Sequence, residues 1–328
     1  MSYTNGLDNP ELYFQTVLYT GDGSTQSITL PGDTNMQPDM VWTKIRNNTF
    51  NHYLFDAVRG ANKYLKPNQT NAEADGSPDH LTAFDSDGFS LGGTAGVNYD
   101  TAPFVSWCWK ESATAGFDIV DYDGAGAANH SHSLSAVPKF MIVKRYNATE
   151  SWFVYNGGLG QAKVGYLNDT VAWGSGTNVW GGSDPTSSVF SIGSDSGISG
   201  SGDYIAYLWA EKQGFSKFSI FTGNGNADGT FVYTGFRPAW VMIKRTDAAR
   251  SWAIYDSIRY PENLASIPAL WADLNDAEGA YTTVDFLSNG FKIRDTSLTI
   301  GASGGDHVYM AFAEAPFVNS NGVPCNAR

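Results

Sequence analysis

Residues 38–44 read Pro-Asp-Met-Val-Trp-Thr-Lys, and this stretch decides the fold because it returns twice. Residues 138–144 read Pro-Lys-Phe-Met-Ile-Val-Lys, and residues 238–244 read Pro-Ala-Trp-Val-Met-Ile-Lys, each shifted by 100 positions without a gap. Every copy has a proline, which we expect at the start of a strand where a missing N–H does little harm, then an apolar run, then a lysine. An apolar run bounded by turn residues is typical of a strand that is covered on both faces.

The repeat extends beyond this strand. Trp152 and Trp252 occupy one position, which His52 fills in the first copy. Asp56 and Arg59 return as Asp256 and Arg259, whereas the second copy has Asn156 and Leu159. A repeated scaffold without a repeated catalytic constellation indicates building or binding rather than chemistry. The repeat-defining residues, for which we predict structural roles, are Pro38, Lys44, Pro138, Lys144, Trp152, Pro238, Lys244 and Trp252.

The pattern predicts an all-β protein of three tandem modules, each about 100 residues long. Asp87-Gly88 and Asn289-Gly290 are two-residue hairpin turns. Six or seven short strands per module favour a β-sandwich of the jelly-roll type, and a β-propeller is the alternative. A helix over 263–274, interrupted by Pro268, is the clearest helical candidate. The predicted organisation is an N-terminal docking arm at 1–12 and modules at 13–113, 114–213 and 214–328.

Composition excludes several classes of function. The 328 residues carry 33 acidic and 20 basic side chains, a formal charge of −13, which would repel nucleic acid and anionic lipid. We find no apolar run long enough to insert in a membrane and no secretory signal at the N-terminus. Cys108 and Cys325 are expected to be free thiols rather than a disulfide.

Candidate catalytic residues are few. The only close histidine pair is His130 and His132, which we interpret as part of a polar loop rather than as metal ligands. No nucleophile elbow, zinc signature or phosphate loop is present, so we expect no cofactor. Carboxylates are plentiful enough for a glycosidase, although sequence spacing cannot show whether two of them face each other. The repeated lysines are expected to reach solvent or pair with carboxylates.

One segment departs from the repeat. Residues 171–182 carry Trp173 and Trp180 among glycines. Two indole rings in a polar loop could stack on sugars or dock on a partner protein. The alternative, which we favour, is that they fold back to cap a core or to seal a contact between modules.

Several stretches resemble a known family. They are residues 51–60, 85–89, 106–110 and 233–239, which occur together and in order. This set resembles a domain of uncharacterised function in structural and tail-fibre-like proteins of marine tailed bacteriophages, cyanophages among them. The resemblance covers residues 12–328 and implies a virion component without catalytic residues.

The functional expectation combines both lines of reasoning. We expect a non-enzymatic virion protein, assembled in the host cytoplasm, that forms a tail fibre knob or appendage contacting the host surface. Its partners would be other virion proteins and a host surface glycan or protein. The alternatives are a capsid decoration or tail-connector protein, and a glycan hydrolase. Phage appendages are often trimers, so a homotrimer is one arrangement, and a ring of the three internal modules is the other.

Overall fold

The computed structural model describes residues 7–263, 267–319 and 321–323. Strands make up 45% and helices 4% of the described residues, and the sheets that these residues form are antiparallel. The predicted all-β, sandwich-like fold is therefore confirmed. The two α-helices in the described residues have four residues each, so neither is long and apolar enough to cross a membrane.

The first module follows a 3₁₀ helix at Pro10–Leu12. Its strands are β1 (Phe14–Thr20), β2 (Gln26–Thr29), β3 (Met40–Ile45), β4 (Tyr53–Asp56), β5 (Lys63–Tyr64), β6 (Ala74–Asp75), β7 (Leu81–Asp85), β8 (Gly88–Leu91) and β9 (Pro103–Trp109). Helix α1 (Ala95–Asn98) precedes β9. The large sheet has the order β1-β9-β3-β4, the small sheet has the order β2-β8-β7, and β5 pairs with β6.

The second module repeats this plan. Its strands are β10 (Phe117–Gly124), β11 (Ala128–Ser131), β12 (Pro138–Arg145), β13 (Trp152–Asn156), β14 (Lys163–Tyr166), β15 (Gly174–Ser175), β16 (Val189–Ile192) and β17 (Gly202–Ala210). Helix α2 (Ser196–Ser199) precedes β17. The large sheet has the order β10-β17-β12-β13-β14-β15, and β11 pairs with β16.

The third module has the same plan of a large and a small sheet. Its strands are β18 (Ser216–Thr222), β19 (Phe231–Tyr233), β20 (Phe236–Arg245), β21 (Ala253–Asp256), β22 (Ile267–Trp271), β23 (Gly279–Thr282), β24 (Val284–Leu287), β25 (Gly290–Ile293) and β26 (Asp306–Pro316). The large sheet has the order β18-β26-β20-β21-β22-β23, and the small sheet has the order β19-β25-β24.

The repeated strand lies between two cores, as its two-sided apolar pattern predicts. Met40 and Trp42 point to a core that all three modules share, whereas Val41 points to the core of the first module alone. The same alternation holds in β12 and β20. Each large sheet is thus covered by its own small sheet on one face and by the other modules on the opposite face.

The shared core is built largely from indole rings. Trp109 lies 5.7 Å from Trp240 and 6.5 Å from Trp209, measured between ring centroids. These three side chains come from the three modules and are almost completely buried. Burying a large aromatic side chain stabilises a protein by several kcal/mol, so this cluster is a major reason for the modules to pack together.

Three local predictions need correction. Residues 267–271 form strand β22 rather than a helix, and Pro268 lies where the register shifts against β23, a position that tolerates the missing N–H. Pro238 lies inside β20 rather than at its start, because the long partner β26 extends the pairing. In the predicted arm, Leu7 and Pro10 are buried in the body, and residues 1–6 lie outside the described residues.

Candidate functional site

Two of the three repeated lysines join neighbouring modules, whereas Lys44 Nζ donates to the carbonyls of Ile45 and Asn48 in its own module. Lys144 Nζ donates to the carbonyls of Thr70 in the first module (3.0 Å) and Glu150 in its own module (2.7 Å). Lys244 Nζ donates in the same way to Thr170, in the second module, at 2.8 Å and to Arg250. The two ammonium groups therefore fasten each module to the one before it in the chain.

The expectation that these lysines reach solvent or pair with carboxylates is wrong. Lys44, Lys144 and Lys244 are 0% exposed, and the hydrogen bonds of their Nζ atoms run to backbone carbonyls. Burial lowers the pKa of Lys144 and Lys244 to about 8 and that of Lys44 to about 7. Carbonyl acceptors favour the charged form, so the ammonium acts as a donor in assembly rather than as a nucleophile.

The position shared by Trp152, Trp252 and His52 makes the same kind of contact. The indole N–H of Trp152 donates to Gln69 O at 2.9 Å, and that of Trp252 donates to Tyr166 O at 2.8 Å. His52 Nδ1 accepts from Trp42 Nε1, so its Nε2 carries the proton and donates to Trp271 O at 3.0 Å. Each aromatic donor thus binds a backbone carbonyl of a neighbouring module.

The accepting segments, residues 66–73, 166–173 and 271–278, are called the docking segments below. Their last residues donate backbone hydrogen bonds in an identical pattern: Glu73 to Tyr146 O, Trp173 to Thr246 O and Glu278 to Arg46 O, at 2.7–2.8 Å. The first module therefore docks on the second, the second on the third, and the third on the first. The chain closes into a ring of three modules.

Buried ion pairs strengthen two of the three contacts. Arg59 Nε lies 2.7 Å from Asp56 Oδ2, and the same carboxylate oxygen accepts from Tyr207 of the second module at 2.6 Å. Asp256 pairs with Arg259 and accepts from Trp107 Nε1 of the first module at 3.0 Å.

The second module lacks this ion pair for a physical reason. By strand register, Trp107 and Tyr207 correspond to Met310 in the third module. A methionine has no N–H or O–H to donate, so the second module needs no carboxylate here and has Asn156 instead. The change from aspartate to Asn156 is visible in the sequence. Its cause is visible only in the structure, which shows the strand position that supplies the donor in the other two contacts.

The structure places Trp173 and Trp180 inside the protein. Trp173 is 7% exposed and lies 6.3 Å from Trp252 of the third module, between ring centroids. Trp180 is 1% exposed, and its N–H donates to Lys163 O at 2.9 Å. Trp173 thus seals a contact between modules and Trp180 caps the core of its own module, which is the geometry of the alternative we favoured over stacking on a ligand.

The histidine and cysteine candidates have separate surroundings. The His130 ring in β11 lies against Tyr122, with 4.1 Å between the ring centroids and a tilt of 36°, whereas His132 contacts the carbonyl of Thr186. No group of three or more His, Cys, Asp or Glu that could hold a metal occurs among the described residues. Cys108 is buried, and burial raises its pKa far above the usual range, while Cys325 lies outside the described residues.

The opposite end of the ring, where the chain passes from one module to the next, is called the crossover end. The closing glutamates Glu111, Glu211 and Glu314 each lie near the same position of an opening strand, which is Asp118, Lys217 and Gln15 in turn. The glutamate is constant, but its neighbour is an acid, a base or an amide. Burial and the Asp118 carboxyl raise the pKa of Glu111 to about 7.

A groove of about 760 Å³ opens at the crossover end between the second and third modules. Its lining includes Glu211, Gln213, Lys217, Tyr233 and Phe317. Tyr233 is 54% exposed, and Lys217 Nζ lies 5.5 Å from the centroid of its ring. Sequence reasoning missed this groove because its residues come from three separate segments.

Residues 9–316 match the family described as "Domain of unknown function (DUF7483)", and the chain belongs to that family. The match runs across all three modules, so the family is defined by the whole ring rather than by one repeat. No curated protein matches the chain.

Proposed function

We propose that this member of the DUF7483 family is a non-enzymatic structural protein of a bacteriophage virion, displayed on the particle as a tail appendage or knob that contacts the host surface. The observation that carries the proposal is the closed ring. Lys144, Lys244, the aromatic and imidazole donors and the two buried Asp–Arg pairs hold the three modules together.

A ring of this kind suits the outside of a particle. Each module is tied to both neighbours by backbone docking and by a shared aromatic core, so it cannot swing away independently. The acidic surface, with a formal charge of −13, favours solubility when many copies are made.

The assignment to a phage rests on the resemblance of residues 51–60, 85–89, 106–110 and 233–239 to tail-fibre-like proteins. The structure supplies a reason for two of these stretches to stay together. Residues 51–60 hold the Asp56–Arg59 pair, and residues 106–110 cover the end of β9, whose Trp107 donates to Asp256 of the equivalent pair. These two stretches therefore lie at the contacts between modules of the ring.

The hydrolase alternative finds less support in the groove. Its described lining contains one carboxylate, Glu211, whereas most glycosidases need an acid and a second carboxylate. Incubation of the purified protein with host polysaccharide tests this alternative. Release of reducing ends that is lost in Glu211→Gln would contradict a non-enzymatic role.

The position on the particle tests the proposal directly. Gold-labelled antibodies against this chain should bind intact virions at the distal tail. Labelling on capsid faces would replace host contact with decoration, and labelling at the head–tail joint would indicate a connector. Absence of the chain from purified virions, measured by mass spectrometry, would overturn the proposal.

A further inference from the structure

The third module carries exposed aromatic rings that the repeat does not require. The register of the small sheets places Tyr233 in the same position as Thr29 and Ser131, and Phe231 in the same position as Ser27 and Asn129. Phe231 is 44% exposed and Tyr233 is 54% exposed. Since two modules fold with small polar residues at these positions, the rings of the third module are not explained by the fold.

Tyr233 stands at the edge of the crossover groove with its surroundings already arranged. Lys217 Nζ donates to Tyr233 O at 3.1 Å and lies over the ring. Glu211 Oε1 accepts from the backbone N–H of Phe218 at 2.9 Å, which holds the carboxylate at the groove. An aromatic face, a carboxylate acceptor and an ammonium donor are thus fixed within one concave surface.

We propose that this groove binds a neutral oligosaccharide, with Tyr233 stacking on a sugar ring and with Glu211 and Lys217 bonding its hydroxyl groups. Sugar rings present apolar C–H faces to aromatic side chains and hydroxyl groups that both donate and accept. The groove volume of about 760 Å³ accommodates several sugar units.

The charges of the groove and of the whole chain favour a neutral ligand. Glu211 and Lys217 offset each other in the groove, and the chain as a whole carries −13 formal charges that repel polyanions. The concave shape and the alternation of ring and polar groups favour a saccharide over a protein, because protein interfaces centre on packed apolar patches. This inference names the ligand class for the proposed host contact and rests on that function.

The test is binding of the full-length protein to an array of glucose, mannose and galactose oligosaccharides, with uronic acid oligosaccharides as charged comparators. Tyr233→Thr, the residue of the first module, should weaken binding to the neutral sugars roughly ten-fold. The control is Tyr99→Thr, which removes a tyrosine of similar exposure (46%) in the first module and should leave binding unchanged.

A second pair of variants uses the repeat itself. Glu211→Gln should weaken neutral-sugar binding several-fold because an amide is a poorer acceptor than a carboxylate, whereas Glu111→Gln, at the equivalent position of the first crossover, should not. Failure to bind any neutral oligosaccharide, preference for the uronic acids, or equal binding by Tyr233→Thr would overturn the inference. If gold labelling still places the chain at the distal tail, only the ligand class fails and the virion role stands.

Discussion

The two ends of the ring differ in what the repeat preserves. At the docking end, the three modules use a buried lysine and an aromatic or imidazole donor against backbone carbonyls. At the crossover end, the closing glutamates are constant, but their neighbours are Asp118, Lys217 and Gln15. The docking end therefore repeats the same kinds of hydrogen-bond donor in each module. At the crossover end the residue types differ, so a module can carry a function there that the other two lack.

The largest effect is expected at the docking end. Trp252→Ala removes a fully buried ring and leaves Tyr166 O without its donor. We expect a loss of about 4 kcal/mol in the free energy of unfolding, measured with chemical denaturant. Tyr233→Ala at the crossover end should cost less than about 0.5 kcal/mol. Equal losses in the free energy of unfolding for Trp252→Ala and Tyr233→Ala would contradict this difference between the two ends.

A charge left unpaired at a joint should cost nearly as much. Arg259→Leu copies Leu159 of the second module but keeps Asp256 buried without its guanidinium partner. We expect a loss of about 3 kcal/mol in urea unfolding. The exposed pair of Lys63 and Asp75 is the control, and Asp75→Asn should change the free energy of unfolding far less than Arg259→Leu does. A neutral effect of Arg259→Leu would show that the buried pair is not required.

Loss of one lysine joint should have an intermediate effect. Lys144→Met keeps the apolar stem but leaves the carbonyls of Thr70 and Glu150 without their donor. We expect a loss of about 2 kcal/mol in the free energy of unfolding. Lys163→Met, on the exposed surface, is the matched control and should be within about 0.5 kcal/mol of the parent protein.

The smallest effect concerns pH at the crossover end. The pKa of Glu111 is raised from 4.5 to about 7, so the stability linked to its protonated form is complete below pH 4.5 and is lost as pH rises through about 7. The lysines act in the opposite direction: their pKa values are lowered from 10.5, so the stability linked to their neutral form is complete above pH 10.5 and is lost as pH falls to about 7 or 8.

The contribution of Glu111 is therefore measured as a difference. Thermal melting of the parent protein should lose stability relative to Glu111→Gln as pH rises through about 7, because the amide cannot ionise. Parallel curves for the two proteins would show that Glu111 is not protonated in the fold.

The strands and hairpins could be predicted from sequence because their signals are local. The apolar run at residues 40–43 is buried on both faces, and hairpins join β7 to β8 and β24 to β25 where they were predicted. Their two-residue loops are Ser86-Asp87 and Ser288-Asn289, one residue earlier than predicted, because Gly88 and Gly290 already pair in the following strands. The cluster of buried residues that spans all three modules shows that they pack on each other. The helix over 263–274 was wrong because pairing with β21 and β23 overrides the local pattern.

The residues that join the modules could be identified from the sequence repeat, but their hydrogen-bond partners could not be predicted from it. Lys144 and Trp152 recur visibly, yet their partners are backbone carbonyls, which leave no mark in the side-chain pattern. The groove was missed for a related reason, since Glu211, Tyr233 and Phe317 lie far apart in the chain. What identified Tyr233 was its strand register against Thr29 and Ser131, which only the structure provides.

The central claim is that three modules form one closed, cooperative ring, and differential scanning calorimetry tests it most directly. If the ring unfolds as a unit, the calorimetric enthalpy should equal the van't Hoff enthalpy, giving a ratio of about 1. Modules that melt independently would give a ratio of about 3, even if their transitions overlap, and that result would contradict the ring.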